Sequence, residues 1–284
     1  MKNSEYILKH RDTDVLVFRI DKYSKCIDYI KIINNRFSPV NDKASEKSQM
    51  ESFNIWINNR YIPNSRDGME IFKRKYNIND MRQIMINIYG LSLTDHYWIE
   101  REPFNNKWKD LNLFENRYSE LFGNILFNKN FNIGAHFKDY DCKNLDVTTI
   151  GMLKKYWKYN EEENKSYLIK GGSGIYKQEP FNEYYASLLL DDMNFEHTPY
   201  HIEKENNENV SVCLCITDIN TEMISANDLR LKYGIGKSYE ALKILIEKEG
   251  NINILHSINK MIITDFIIEN TDRHWYNFGI LRDT

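Results

Sequence analysis

The chain of 284 residues is short of proline and glycine, with 5 and 12 of them, which excludes a collagenous or Pro/Gly-rich low-complexity protein. Its 4 cysteines, Cys26, Cys142, Cys213 and Cys215, include no C-x-x-C pair, so reduced thiols are expected rather than a disulfide framework. Cys213 and Cys215 in the alternating run VSVCLCI point to one face of a strand, a core use of cysteine and not a metal site. An excess of charge of one sign is also missing: the net charge is -3 and the pI about 6.2, so no global field attracts nucleic acid. Nucleic acid is accordingly not an expected partner. Nor is a membrane, since no run approaches the roughly 18 apolar residues of a span, and MKNSEYILKHRD has no apolar leader segment. A cytoplasmic location is the expectation. What remains is globular: hydrophobic residues make up 42%, charged 28% and aromatic 13%. At this length the core is expected to divide into two units.

Strand patterns occur at 15–20 (VLVFRI) and 26–33 (CIDYIKII), followed by a polar loop or helix start at 41–50. Helix-like spacing after Ser52 closes at Gly90, a plausible C-cap. A stretch at 108–127 predicts a helix with Leu111, Phe114, Tyr118, Leu121 and Phe122 on one side. A domain boundary is expected in the polar segment 128–145. His197 and His201 flank Pro199, so they read as strand-edge histidines and not as a ligand pair on a helix.

Chemistry concentrates in DFIIENTDRHWYNFG at 265–279, where Asp272 precedes Asn277 by five residues. A kinase catalytic loop uses this spacing: the Asp accepts the substrate hydroxyl's proton, and the Asn amide oxygen binds Mg²⁺. In SYLIKGGSG an apolar strand ends in Lys170, where an ammonium can neutralise nucleotide phosphates. Glu183, thirteen residues later in a helical run, can hold that ammonium by an ion pair. Gly171, Gly172 and Gly174 follow the lysine, so they form a turn or an anion-binding nest and not a Walker A loop. Upstream, DVTTIGMLKKYW places Thr148, Thr149, Gly151 and Lys154 where a phosphate-covering loop belongs. Asp265 continues the apolar stripe of Ile254, Ile258, Met261 and Ile262. A carboxylate there needs partners, and hydrogen bonds that fix the catalytic loop would supply them.

Four segments carry a resemblance: Thr148 to Trp157, Leu168 to Gly174, Gln178 to Glu183 and Asn270 to Gly279, in that order. Together they resemble the HipA-like family of bacterial and phage serine/threonine kinases, distantly similar to phosphoinositide kinases. The resemblance covers most of the chain. It implies an α+β, protein-kinase-like fold that binds ATP between a small β-rich lobe and a helical lobe. The implied segments are an N-terminal accessory domain (1–140), a small lobe (141–218) and the start of a helical lobe with the catalytic loop (219–284). By this resemblance Thr149, Gly151, Lys154, Lys170 and Glu183 would serve ATP, Asp272 would be the base and Asn277 a Mg²⁺ ligand. The substrate would be a protein serine or threonine, and an antitoxin or other regulatory protein a partner.

Such kinases also need a second acidic metal ligand after the loop. Only Asp283, read as part of a turn, follows Asn277. Three readings follow: a truncated kinase, which is favoured; a pseudokinase acting as a nucleotide- or protein-binding module; or an enzyme that takes the ligand from another chain.

Overall fold

A computed structural model describes residues 5–21, 23–62, 88–120, 153–249 and 252–284, together with Lys73, Arg82, Met85, Ile86 and Phe127. The elements run β1 (Glu5–His10), β2 (Thr13–Ile20), β3 (Ile27–Ile32), α1 (Glu46–Asn58), β4 (Tyr97–Arg101) and α2 (Trp108–Leu111). Then come β5 (Lys155–Asn160), β6 (Lys165–Gly171), α3 (Glu179–Asp192), β7 (Tyr200–Glu205) and β8 (Glu208–Leu214). The last are β9 (Thr221–Ser225), α4 (Ala226–Tyr233), α5 (Tyr239–Glu249), α6 (Ile252–Ile267) and β10 (Gly279–Asp283). The class is α+β, and every strand pair among the described residues is antiparallel. Among these residues no helix is long and apolar enough to cross a membrane.

Two compact units divide the chain: Met1–Asn58, Thr94–Trp108 and Ile219–Thr284 form the first, and Asn59–Leu93 with Lys109–Asp218 the second. The units interleave, whereas the segments expected from sequence are consecutive. The expected step at 218/219 coincides with a passage between units. Long-range pairing explains the interleaving, because β4 pairs with β1 across some ninety residues, from Tyr6↔Arg101 to His10↔Tyr97.

In the first unit the sheet order is β3-β2-β1-β4. Alternation in TDVLVFRI buries Leu16 and Phe18 on one face, and Val15 is buried on the other. Helix α1 packs on β3. Its Phe53 meets Phe18 edge-on at 4.9 Å and stacks on Trp56 at 5.6 Å. Burying each such ring is worth about 1.5–3 kcal/mol. Strands β9 and β10 pair in a second sheet. Gly279 is required there, since a Cβ at this position would collide with the carbonyl of Ile224. Asp283 is the last residue of β10, opposite Thr221, so ILRDT is a strand and not the turn expected.

Helix α6 buries Ile258 and Thr264 and half-buries Ile254, Met261 and Asp265. Ile262 lies outside this stripe, on the exposed side with Ile263, Phe266 and Ile267. Phe266 is 85% exposed, so Phe266→Ser is expected to shift unfolding by less than about 0.5 kcal/mol. Chemical denaturation followed by circular dichroism measures this; a larger loss would show that Phe266 is packed in solution.

In the second unit the sheet order is β5-β6-β8-β7. Its register aligns Lys155, Lys170, Ser211 and Ile202 in one cross-strand row and Trp157, Leu168, Cys213 and Tyr200 in another on the same face. Tyr156, Ile169 and Val212 line the opposite face. Helix α3 packs on β6, β7 and β8. Pro180 suits its first turn. The helix stops where Asn194 turns left-handed at φ +53° and Phe195 N–H reaches the Leu190 carbonyl at 2.9 Å.

The helix predicted over 108–127 is not formed across its described part. It ends at Leu111 because the Asn112 side-chain oxygen accepts from Phe114 N at 3.1 Å and Glu115 N at 2.8 Å, diverting N–H groups a helix would use. Leu121 and Phe122 lie outside the described residues, as does the expected boundary at 128–145. The cap at Gly90 is present: its φ is +58° and its N–H donates to the Met85 carbonyl at 2.7 Å.

Candidate functional site

In the second unit, β6 delivers Lys170 to the face that α3 covers, and Glu183 sits one turn into α3. Lys170 Nζ lies 2.7 Å from Glu183 Oε1 and 2.7 Å from the Tyr200 hydroxyl. Glu183 Oε2 accepts from the Ser211 hydroxyl. Burial opposes the charge on Lys170, yet Tyr200 and Glu183 hold its pKa above the ordinary lysine value. The ammonium is therefore retained. Burial raises the Tyr200 hydroxyl above its usual range, so it stays neutral.

The glycine-rich loop folds back on itself. A Cβ on Gly172 would meet the Lys177 backbone at 2.6 Å, and Gly174 takes φ +59°. Ser173 N donates to Glu179 Oε2 at 3.0 Å, and its hydroxyl donates to the same carboxylate. The loop is thus a turn, and the Ser173 amide is already committed to a carboxylate and not open to an anion. Burial would raise the Glu179 pKa, but the Ser173 bonds hold it below the ordinary value.

Lys154 stands apart from Lys170. Its ammonium pairs with Glu208 at 3.6 Å, and Lys177 pairs with the same carboxylate at 2.8 Å. Strand alternation puts Lys154 and Glu208 on the sheet face opposite Lys170. Thr148, Thr149 and Gly151 lie outside the described residues.

In the first unit, the segment after α6 is knotted together by its own polar side chains. Asp265 Oδ1 accepts from Asn270 Nδ2 at 2.8 Å, and Arg273 grips both Asp265 oxygens, each at 2.7 Å. Burial would raise the Asp265 pKa, but Arg273 and Asn270 hold it below the carboxylate range. Asp265 therefore orders the loop, the role its place on the helical stripe implied. Asn270 Oδ1 accepts from Asp272 N at 3.1 Å. Asn277 closes the turn by donating from Nδ2 to the Asp272 carbonyl and accepting at Oδ1 from His274 N at 3.0 Å. Asp272 and Asn277 thus share one exposed loop, with the Asp272 carboxylate in none of these bonds. Ala226 N and Asn227 N, opening α4, donate to the Phe278 and Trp275 carbonyls, both within 2.9 Å, and tie the loop to that helix.

The Asn277 amide oxygen, whose second lone pair remains after the His274 bond, is an oxygen donor of the kind that Mg²⁺, a hard cation, takes. A different group with ligand chemistry is buried in the first unit, where the ligand atoms of His10, His96 and Glu222 lie within 4.8 Å of one another. Glu222 Oε1 accepts from His10 Nε2 at 2.8 Å and from Arg282 Nε at 2.8 Å, and Oε2 accepts from His96 N at 3.1 Å. Thr284 and Arg11 both face His96 Nδ1. With a guanidinium already on the carboxylate, this cluster is a satisfied polar clip that repels a cation.

Sequence reasoning missed Tyr200 and Ser211. Ser211 left a trace as the one hydroxyl in the apolar run VSVCLCI, pointing to the face that carries Lys170. Tyr200 left none, because its row is set by register. No protein-family model matches the chain, and no curated protein matches it.

Proposed function

We propose that the protein is an ATP-dependent serine/threonine kinase of the HipA-like type, with a protein hydroxyl as acceptor. The observation that carries this reading is the 2.7 Å pair of Lys170 and Glu183, formed between a strand end and a facing helix. An ammonium kept charged in a half-buried site neutralises phosphate oxygens far better than one in water. The ordered loop of Asp272 and Asn277 supports the same reading. In the reaction the acceptor oxygen attacks the γ-phosphorus, the bond from that phosphorus to the β–γ bridging oxygen breaks, and ADP departs. Asp272 takes the proton of the acceptor hydroxyl. Asn277 would hold Mg²⁺, which neutralises charge on the phosphates when bound.

Intact-mass spectrometry after incubation with ATP and Mg²⁺ tests the proposal. A phosphate-sized gain is expected in the wild type and not in Lys170→Met. If the wild type gains no mass and phosphorylates no serine/threonine peptide in a library, the assignment fails, and a nucleotide- or protein-binding role takes its place.

A further inference from the structure

We infer that Tyr200 is a positioning residue for the Lys170 ammonium, fixing the direction in which that group meets a nucleotide phosphate. The inference rests on the kinase reading above. A lysine has a four-carbon stem and three N–H donors, so a single ion pair leaves its head group free to swing. Here two acceptors share it: Glu183 Oε1 and the Tyr200 hydroxyl, each at 2.7 Å. Two fixed N–H directions determine the third, which is left for an anion.

Tyr200 is itself held from two sides. It opens β7 opposite Cys213 of β8. Its backbone N–H donates to Ser187 Oγ of α3 at 3.1 Å, and that hydroxyl also bonds His197 Nε2 at 2.9 Å. The tyrosine is thus pinned to the helix that carries Glu183, so both acceptors of the ammonium have one frame. A neutral phenol suits this position, because a second carboxylate would over-neutralise the lysine and repel phosphate, whereas the hydroxyl orients the ammonium without adding charge. Ser211 does the same for Glu183 by occupying its other oxygen.

The test is a double-mutant cycle read by calorimetric titration of Mg-ATP into the full chain. Tyr200→Phe keeps the ring and is expected to weaken ATP binding about tenfold, the scale of one hydrogen bond to a charged group. In Lys170→Met the same substitution should change affinity by less than about twofold, because its effect passes through the ammonium. Equal weakening on both backgrounds, or no weakening in the wild type, overturns the role of Tyr200 while leaving the kinase reading in place. A wild type that binds no ATP overturns both. Should Tyr200→Phe melt below the titration temperature, the titrations are run below its melting point with the same expected non-additivity.

Discussion

Asp272→Asn is expected to abolish phosphoryl transfer, lowering kcat by about 10²–10⁴, while ATP affinity stays within about twofold. The amide cannot take the acceptor hydroxyl's proton, so the lost step is the proton transfer. What makes this a clean experiment is how the loop is built. Asp272 enters the turn through its main chain only, with its N–H donating to Asn270 and its carbonyl accepting from Asn277. Asparagine preserves both bonds. The grip of Arg273 on Asp265 is likewise untouched. Radiolabelled ATP transfer to a serine/threonine peptide library, with calorimetric ATP binding beside it, separates the outcomes. Loss of both transfer and binding would mean that the carboxylate mainly holds the nucleotide and its cation. Retention of both would remove Asp272 from the chemistry.

The parts of this site that were legible in the sequence are those set by local pattern. Lys170 lies one residue from the end of an apolar strand and Glu183 one turn into a helix marked by Pro180, so both the elements and the facing of the pair follow from period and punctuation. Asp265 was legible for the same reason, as a carboxylate in phase with Ile258 and Met261 on α6. The parts that were not legible depend on register or on a competing hydrogen bond. Tyr200 reaches Lys170 because β7 aligns Tyr200 with Cys213, a pairing no single strand discloses. The helix expected past Leu111 stops because Asn112 captures two backbone N–H groups, and the apolar spacing of Phe114 and Tyr118 carries no sign of that capture. Lys154 and Lys170 read as partners in one phosphate site, but strand alternation sets them on opposite faces of a sheet. The interleaved units were hidden because β4 pairs with β1 from far away in sequence.

The largest stability effect is expected at Glu222, which is 0% exposed and accepts bonds from His10, His96 and Arg282. It joins β1, the approach to β4, β9 and β10 through one carboxylate, so removing it strands a buried histidine and a guanidinium together. Breaking a buried pair from one side costs about 3–5 kcal/mol. Against a total of roughly 5–15 kcal/mol for a typical domain, Glu222→Ala should lower the melting temperature by roughly 10 °C or prevent folding. The pH dependence gives a second, independent reading. Burial alone would raise the Glu222 pKa, yet His10 and Arg282 bring it down to about 2 from 4.5. A carboxyl depressed in the folded state stabilises fully above its unfolded pKa and loses that contribution as the pH falls through its folded one. The window is therefore pH 4.5 down to about 2, and the amount at stake is about 3 kcal/mol. Wild-type urea midpoints should fall across that window more steeply than those of Glu222→Gln, which keeps the shape of the side chain but has no proton to gain. Parallel midpoint curves for the two proteins would show that the clip carries no charge-dependent stability and that Arg282 is satisfied by other groups.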